Sequence, residues 1–209
     1  MICFPFTGHY SHYESELFMK KAGILLFDDI ELLDFAGPYE VFAVADELND
    51  RSLFDVFTLS ENGSEIRTIH GLRVQPDYST GNAPGIDILV IPGGYGTKAV
   101  IRNQDLLDWI MQAYEQSEIT FSVCSGARIP AILGLLDGKE FTTHHAVVDD
   151  VIAIAPKSIY RKSARFVDNG RVMTAAGISA GIDLSLHIVE KLHGARVKEQ
   201  TMQYMEYPR

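Results

Sequence analysis

One short segment, residues 120–130, constrains this chain more than any other, because a lone cysteine there directly follows an apolar run. The run has β-type character and ends in Cys124, after which small residues lead into a helix-like stretch. This order is typical of a nucleophile elbow, a turn so sharp that the residues two before and two after the nucleophile must be small. Ser122 and Gly126 occupy those positions. The segment therefore predicts a strand, a strained nucleophile and a helix in immediate succession.

This segment alone allows two interpretations of Cys124. In the first, the thiol lies at a helix N-terminus, where the helix dipole and free N–H groups lower its pKa and favour the reactive thiolate. In the second, Cys124 is a buried and inert side chain, which is a common state of an intracellular cysteine. This segment does not distinguish a catalytic cysteine from a structural one, so other residues of the chain have to be considered.

Composition excludes several classes of partner. The 209 residues carry a formal net charge of −10 at pH 7, and no Lys/Arg-rich run is present, so neither nucleic acid nor an anionic membrane is expected as a partner. No apolar run reaches the length of a membrane span, and the N-terminus lacks the pattern of a secretory signal. Cys3 and Cys124 cannot make a disulfide framework, so we expect a cytoplasmic protein.

Apolar runs alternate with helical patterns along the chain. Residues 22–27 and 88–91 have no polar side chain, as expected of parallel strands covered on both faces. The pattern predicts strands at 22–27, 54–59, 88–91, 120–123 and 172–175, the last in a hairpin with 165–167 around Asn169-Gly170, and helices at 38–48, 104–115, 147–154, 182–192 and 195–205. We therefore expect an α/β fold in which a doubly wound, mostly parallel sheet has helices on both faces.

The same pattern predicts the domain boundaries. Residues 1–18 show neither the period of a strand nor that of a helix, and we expect them to form a flexible N-terminal extension. Residues 19–209 contain no linker-like tract and are expected to form a single domain.

A cysteine nucleophile needs a group that manages protons, and two residues are candidates by type. Asp34 follows the first predicted strand and His144 follows a later one, so both lie where the carboxyl ends of parallel strands converge on a crevice. Asp34 is equally interpretable as a helix cap or turn residue, and His144 as a hydrogen-bonded, half-buried histidine. His144 and His145 would point in opposite directions on a strand, so no metal site is expected.

Five segments together resemble the DJ-1/PfpI superfamily, and the resemblance covers nearly everything from residue 21 to 207. They are LDFAGP (33–38), VIPGG (90–94), SVCSGA (122–127), TTH (142–144) and GISAGID (177–183). Within the superfamily they are most similar to the isonitrile hydratases, and also to the amidotransferase-like domain found in front of some AraC-type regulators.

The resemblance implies a flavodoxin-like fold, a homodimer, a small-molecule substrate and no cofactor. It implies that the Cys124 thiolate attacks an isonitrile carbon, with Asp34 as the acid and base and the Ser125 hydroxyl beside them. The N–H groups of Gly94 and Ser125 would stabilise the developing anion. The residues implied to bind substrate or line that anion site are Gly93, Gly94, Tyr95, His144 and Ile178.

Three departures from the family patterns refine this expectation. Ser125 stands where PfpI-type proteases have histidine, which disfavours protease activity. Asp34 stands where DJ-1-like members have glutamate, which disfavours glyoxalase or deglycase chemistry. His145 stands where the hydratases tend to have tryptophan, and together with Tyr95 it leaves the substrate open.

A second hypothesis stays open beside the enzyme. The chain could be a non-enzymatic module that senses a small molecule, or a redox sensor in which Cys124 is oxidised. A pocket with apolar walls beside Cys124 and Asp34 would favour the enzyme, whereas a pocket that is filled with solvent or blocked would favour the sensor.

Overall fold

The computed structural model describes residues 19–208, which fold around a seven-stranded sheet. The strands are β1 Lys20–Leu25, β2 Phe54–Ser60, β3 Ile66–Arg67, β4 Arg73–Val74, β5 Tyr78–Ser79, β6 Ile88–Ile91, β7 Ile119–Val123, β8 Glu140–Phe141, β9 Ile159–Tyr160, β10 Phe166–Asp168 and β11 Val172–Ala175. The helices are α1 Leu32–Glu47, α2 Thr97–Val100, α3 Gln104–Gln116, α4 Arg128–Ile132, α5 Val148–Ile154, α6 Ala180–His193 and α7 Ala195–Tyr204.

The strand order of the main sheet is β10-β11-β7-β6-β1-β2-β5. Every neighbouring pair is parallel except the β10–β11 hairpin. Helices pack around this sheet, and the α/β architecture predicted from the alternating pattern is confirmed. All residues of the central strands β6 and β7 are buried, which explains why their sequences are continuously apolar or small rather than alternating. Their carboxyl ends, at Ile91 and Val123, therefore lie side by side.

The prediction that the first helix begins at residue 38 was wrong. Helix α1 begins at Leu32 and contains Pro38 in its second turn, so Asp34 lies in the helix rather than in the loop before it. The Gly-Pro pair is typical of a helix start, but here Gly37 lets α6 approach closely, because a Cβ at this position would lie 2.9 Å from Cγ1 of Ile182. Close packing of α1 against α6 thus compensates for the backbone hydrogen bond that is lost because Pro38 has no N–H to donate.

A second, smaller core lies beside the main one and supports the elements that follow the cysteine. It contains Ala127, Ala131, Leu136, Phe141, Val151, Ala155 and Val172. These residues pack α4 against α5. The segment between β8 and α5 places His144 near the carboxyl end of β7.

The predicted extension at residues 1–18 lies outside the described residues and stays a prediction. Across residues 19–208, no helix combines the length and the apolar character that a bilayer crossing requires.

Candidate active site

Cys124 has the backbone conformation of an elbow nucleophile. It follows β7 directly, its φ is +57°, and a 3₁₀ turn over Cys124–Ala127 leads into α4. The N–H of Cys124 donates to the carbonyl of Ala176 at 2.8 Å, and its own carbonyl accepts from Thr143 Oγ1 at 2.7 Å. A left-handed conformation is costly for a residue with a Cβ, so these two hydrogen bonds hold the cysteine in a strained position. The predicted elbow is confirmed.

The glycine after the elbow is required by the close approach of a neighbouring strand end. A Cβ on Gly126 would lie 2.4 Å from the carbonyl oxygen of Ile91 and 2.7 Å from that of Pro92. Both atoms belong to the backbone, so neither can move aside as a flexible side chain would.

Gly126→Ala is expected to destabilise the protein by about 3 kcal/mol, the upper range for overpacking a rigid site. Urea unfolding of the two proteins measures this difference. Gly85→Ala is the matched control, because a Cβ there meets no atom within 4 Å. Equal unfolding midpoints for both variants would contradict the packing described for the elbow.

Asp34 is fully buried and lies beside the thiol. Its Oδ2 accepts a hydrogen bond from the N–H of Gly93 at 2.9 Å. Its Oδ1 makes no well-formed hydrogen bond within residues 19–208, yet the carboxyl group is close enough to Cys124 for each to shift the pKa of the other. Burial raises the pKa of Asp34 to about 7, with a smaller upward contribution from Glu31, while Gly93 and Cys124 oppose the shift. The alternative of Asp34 as a helix cap is excluded, because Glu31 holds that position.

Of the two interpretations of Cys124, the lowered thiol pKa does not hold in the resting protein. Burial, with the Asp34 charge as the second cause, raises the pKa of this thiol to about 12. The N–H groups of Ser125 and Ile178 act in the opposite direction, but they do not outweigh burial at 8% exposure. Cys124 therefore rests as a thiol beside a carboxyl group whose pKa is raised to about 7.

The glycine loop after β6 contributes differently from the expectation. The N–H of Gly93 is directed at the carboxyl group of Asp34 and not at the pocket, so it holds that carboxyl group in place. The N–H of Gly94 donates to Oγ of Ser125 at 2.9 Å, and that hydroxyl donates to the carbonyl of Gly94 at 3.1 Å. Gly94 is therefore engaged in the resting state, and the N–H groups that face the sulfur are those of Ser125 and Ile178.

His144 lines the pocket but is held by the protein. Its Nδ1 accepts from the N–H of Ala146 at 3.2 Å, and its pKa is lowered by burial and by His145. The ring packs so closely on Gly177 that a Cβ there would lie 2.5 Å from Cδ2 of the imidazole. The expectation that the two histidines point in opposite directions was wrong, because β8 ends at Phe141 and the rings lie 4.2 Å apart.

A pocket of about 350 Å³ opens beside the cysteine. Of the predicted site residues, it is lined by Gly94, Tyr95, Cys124, Ser125, His144 and Ile178, whereas Asp34 and Gly93 are not among its lining residues. Tyr95 is 72% exposed and so lies at the rim. Ile69, Val147 and Ile178 supply part of an apolar wall beside Cys124, but Asp34 does not line the pocket, so the pocket alone does not separate the enzyme from the sensor.

Charged residues in this pocket were missed by the sequence analysis. Glu31, Lys98, Arg128 and Asp150 also line it. Arg128 comes directly after the small residues of the elbow, where a charged side chain within a run of small and apolar residues could have drawn attention to it. In the part of the chain that the structure describes, no group of three or more His, Cys, Asp or Glu side chains is placed to hold a metal ion.

Comparison with known proteins agrees with this geometry. A sequence model of the DJ-1/PfpI family matches residues 20–191. An isonitrile hydratase from Pseudomonas putida is 30% identical over 190 residues, which cover 90% of this chain and 78% of that protein. A crystal structure of a ThiJ/PfpI family protein from Pseudomonas syringae superimposes with a TM-score of 0.82 at 23% identity, covering 99% of this chain and 83% of that one.

A regulator is also among the relatives. The HTH-type transcriptional regulator GbdR from Pseudomonas aeruginosa is 28% identical over 190 residues, which cover 91% of this chain and 51% of the regulator. The chain thus spans about half the length of that relative.

Proposed function

Because the chain belongs to the DJ-1/PfpI family, we propose that it is a cysteine-dependent enzyme that hydrates an isonitrile to an N-substituted formamide. One observation carries the proposal: the buried carboxyl group of Asp34 lies within reach of the Cys124 thiol, and Cys124 lines a pocket. The pair can exchange a proton without solvent, because Asp34 is fully buried and its pKa is raised to about 7.

The first step forms a covalent bond to sulfur. Sγ of Cys124 attacks the terminal carbon of the isonitrile while the Asp34 carboxylate takes the thiol proton. Asp34 then gives this proton to the same carbon, which leaves a neutral thioimidate (R–N=CH–S) on the cysteine. The raised pKa of both groups suits this sequence, since the thiol loses its proton only as the new C–S bond forms.

The second step adds water and breaks the C–S bond. Asp34, again a carboxylate, accepts a proton from water as the oxygen bonds to the thioimidate carbon. It then gives this proton to the nitrogen and is again a carboxylate. The tetrahedral intermediate then expels sulfur as its hydroxyl proton passes through Asp34 to the thiolate, which regenerates the thiol. The N–H groups of Ser125 and Ile178 stabilise the sulfur while it carries charge. The sum is one isonitrile and one water converted to one formamide.

This mechanism sets the pH dependence of the reaction. Asp34 must be ionised in the free enzyme and its pKa is about 7, so kcat/KM is expected to rise with pH and to level off above that value. Below it, kcat/KM should fall by roughly tenfold per pH unit, as for a single required base. Initial rates measured across this range check the prediction, and a flat profile would contradict the role of Asp34.

Substrate comparison tests the reaction class. The purified protein is incubated separately with a simple alkyl isonitrile, with methylglyoxal and with a fluorogenic peptide, at equal protein concentration. The proposal expects formamide from the isonitrile and no comparable turnover of the other two. Turnover of methylglyoxal or peptide without formamide would replace this reaction class by another.

A small-molecule sensor is the second candidate. It is favoured by the buried, protonated thiol, which is a poor nucleophile at rest, and by the match to a transcriptional regulator. A sensor would be stabilised against thermal unfolding by a ligand that it leaves chemically unchanged, whereas the enzyme releases product.

The proposal includes the assembly and location expected from the sequence. We propose a homodimer in the cytoplasm that acts on a small molecule and uses no cofactor. Apolar side chains more than one third exposed at the start of α1, Leu32 and Leu33, provide a surface for such contact.

A further inference from the structure

Arg128 is a buried cation at an unfavourable position. It is 5% exposed and is the first residue of α4, directly after the 3₁₀ turn Cys124–Ala127. A buried charge is costly unless it is paired and hydrogen-bonded. Its role therefore lies in the groups that its guanidinium reaches.

The guanidinium connects two other elements. Its Nε donates to Oδ2 of Asp150 at 3.1 Å, and its Nη1 donates to Oγ1 of Thr97 at 2.9 Å. Asp150 lies in the first turn of α5, where an acidic residue is favourable, and its side chain is 54% exposed. Asp150 therefore orients the guanidinium, whose other side is directed at the fully buried Thr97.

Thr97 carries this orientation to Ser125. Because Oγ1 of Thr97 accepts from Arg128, its own proton is directed at the carbonyl of Gly94, 2.9 Å away. That carbonyl also accepts from the hydroxyl of Ser125, whose oxygen in turn accepts from the N–H of Gly94. The hydroxyl of Ser125 is thus left with one free lone pair, beside the nucleophile.

We infer that Arg128 and Thr97 are positioning residues, which fix the glycine loop so that Ser125 presents a hydrogen-bond acceptor to the reacting water. This inference rests on the proposed function for the identity of the reaction. The same loop holds Asp34 through the N–H of Gly93. A displaced loop would therefore move both the Ser125 hydroxyl and the Asp34 carboxylate. A merely structural connection between α4 and α5 would affect stability and not the chemical step.

Substitutions along the chain of hydrogen bonds separate the two roles. Thr97→Val removes the hydroxyl and keeps the shape, Thr97→Ser restores the hydroxyl, and Arg128→Met removes the donor. Thr97→Val and Arg128→Met should each lower kcat by about tenfold to a hundredfold with little change in KM, as expected when a reacting geometry is displaced. Arg73→Met is the control, because it removes an arginine from an exposed ion pair with Glu65.

The double variant tests whether both residues act through one connection. Arg128→Met combined with Thr97→Val should be no slower than the slower single variant, and Thr97→Ser should restore most of kcat. If the double variant lowered kcat by the product of the two single factors, the inference would be overturned. An unchanged kcat in Thr97→Val would also overturn it. Rates are compared well below each variant's melting temperature.

A second readout does not depend on the substrate. Alkylation of Cys124 by iodoacetamide is followed across pH on the peptide that contains it, which separates it from Cys3. The pH profiles of Thr97→Val and Arg128→Met should shift together from that of the unmodified protein, and Thr97→Ser should return to it. Superimposable profiles in all proteins would overturn the inference. Absence of isonitrile turnover with shifted profiles would instead reject the proposed function alone.

Discussion

Cys124→Ala is expected to abolish formamide formation and to leave the fold intact. Removing the proposed nucleophile should lower the rate by about 10⁴-fold or more, as for other covalent nucleophiles. The free energy of unfolding should change by less than about 1 kcal/mol, because alanine retains the strained φ of +57° and loses only a small side chain. Product formation and thermal unfolding of the two proteins provide the measurement.

The chain offers a matched control for this substitution. Cys3 is its other cysteine, so Cys3→Ala also removes one thiol and leaves the sequence of the elbow segment unchanged. We expect Cys3→Ala to retain the full rate. If Cys124→Ala kept more than a small fraction of the rate, the covalent mechanism would be wrong.

Asp34→Asn is expected to lower the rate by about 10²- to 10⁴-fold, the range for a lost general base. The asparagine oxygen can still accept from the N–H of Gly93, so the carboxyl site keeps its main hydrogen bond. The amide cannot take the thiol proton, and the rise of kcat/KM through a pH of about 7 should disappear. Rate profiles of both proteins across pH measure this effect, and near-normal turnover by Asp34→Asn would contradict the acid–base role.

The same substitution should stabilise the protein at high pH. The pKa of Asp34 is raised from 3.8 to about 7 on folding, so its contribution to stability is fully present below 3.8 and is lost as pH rises through 7. Asparagine does not ionise, and its advantage above that pH reaches at most about 4 kcal/mol from a shift of this size. Urea unfolding should show the full advantage in alkaline buffer, a smaller advantage in buffers between the two pKa values, and none below 3.8. Asp108→Asn, on the exposed face of α3, is the matched control for the same exchange of side chain.

Local signals predicted most of the fold. The bounds of β6 follow from an apolar run that ends in Pro92, and Asn103 caps α3 through a 3.1 Å hydrogen bond from the N–H of Leu106. The Asn169-Gly170 pair joins β10 and β11 as expected, with Gly170 at φ +84°. Each of these features depends on residues that are neighbours in sequence, which is why the sequence alone was sufficient.

Contacts between distant segments could not be predicted in the same way. The pKa of Cys124 depends on how deeply α1 and the loop around Ile178 bury it, and neither is visible in the elbow sequence. Arg128 meets Asp150 only because the smaller core places α5 against α4. The sequence thus predicted the elbow, Asp34 and the glycine loop separately. The pKa shifts of Asp34 and Cys124 depend on contacts that exist only in the folded protein.

Hydration of an alkyl isonitrile in ¹⁸O-labelled water tests the central claim most directly. The unmodified protein and Cys124→Ala are incubated in parallel, and mass spectrometry follows the formamide and its oxygen isotope. The account predicts formamide that carries one ¹⁸O atom and forms only when Cys124 is present. Absence of formamide from a protein whose Cys124 is still alkylated by iodoacetamide would contradict it.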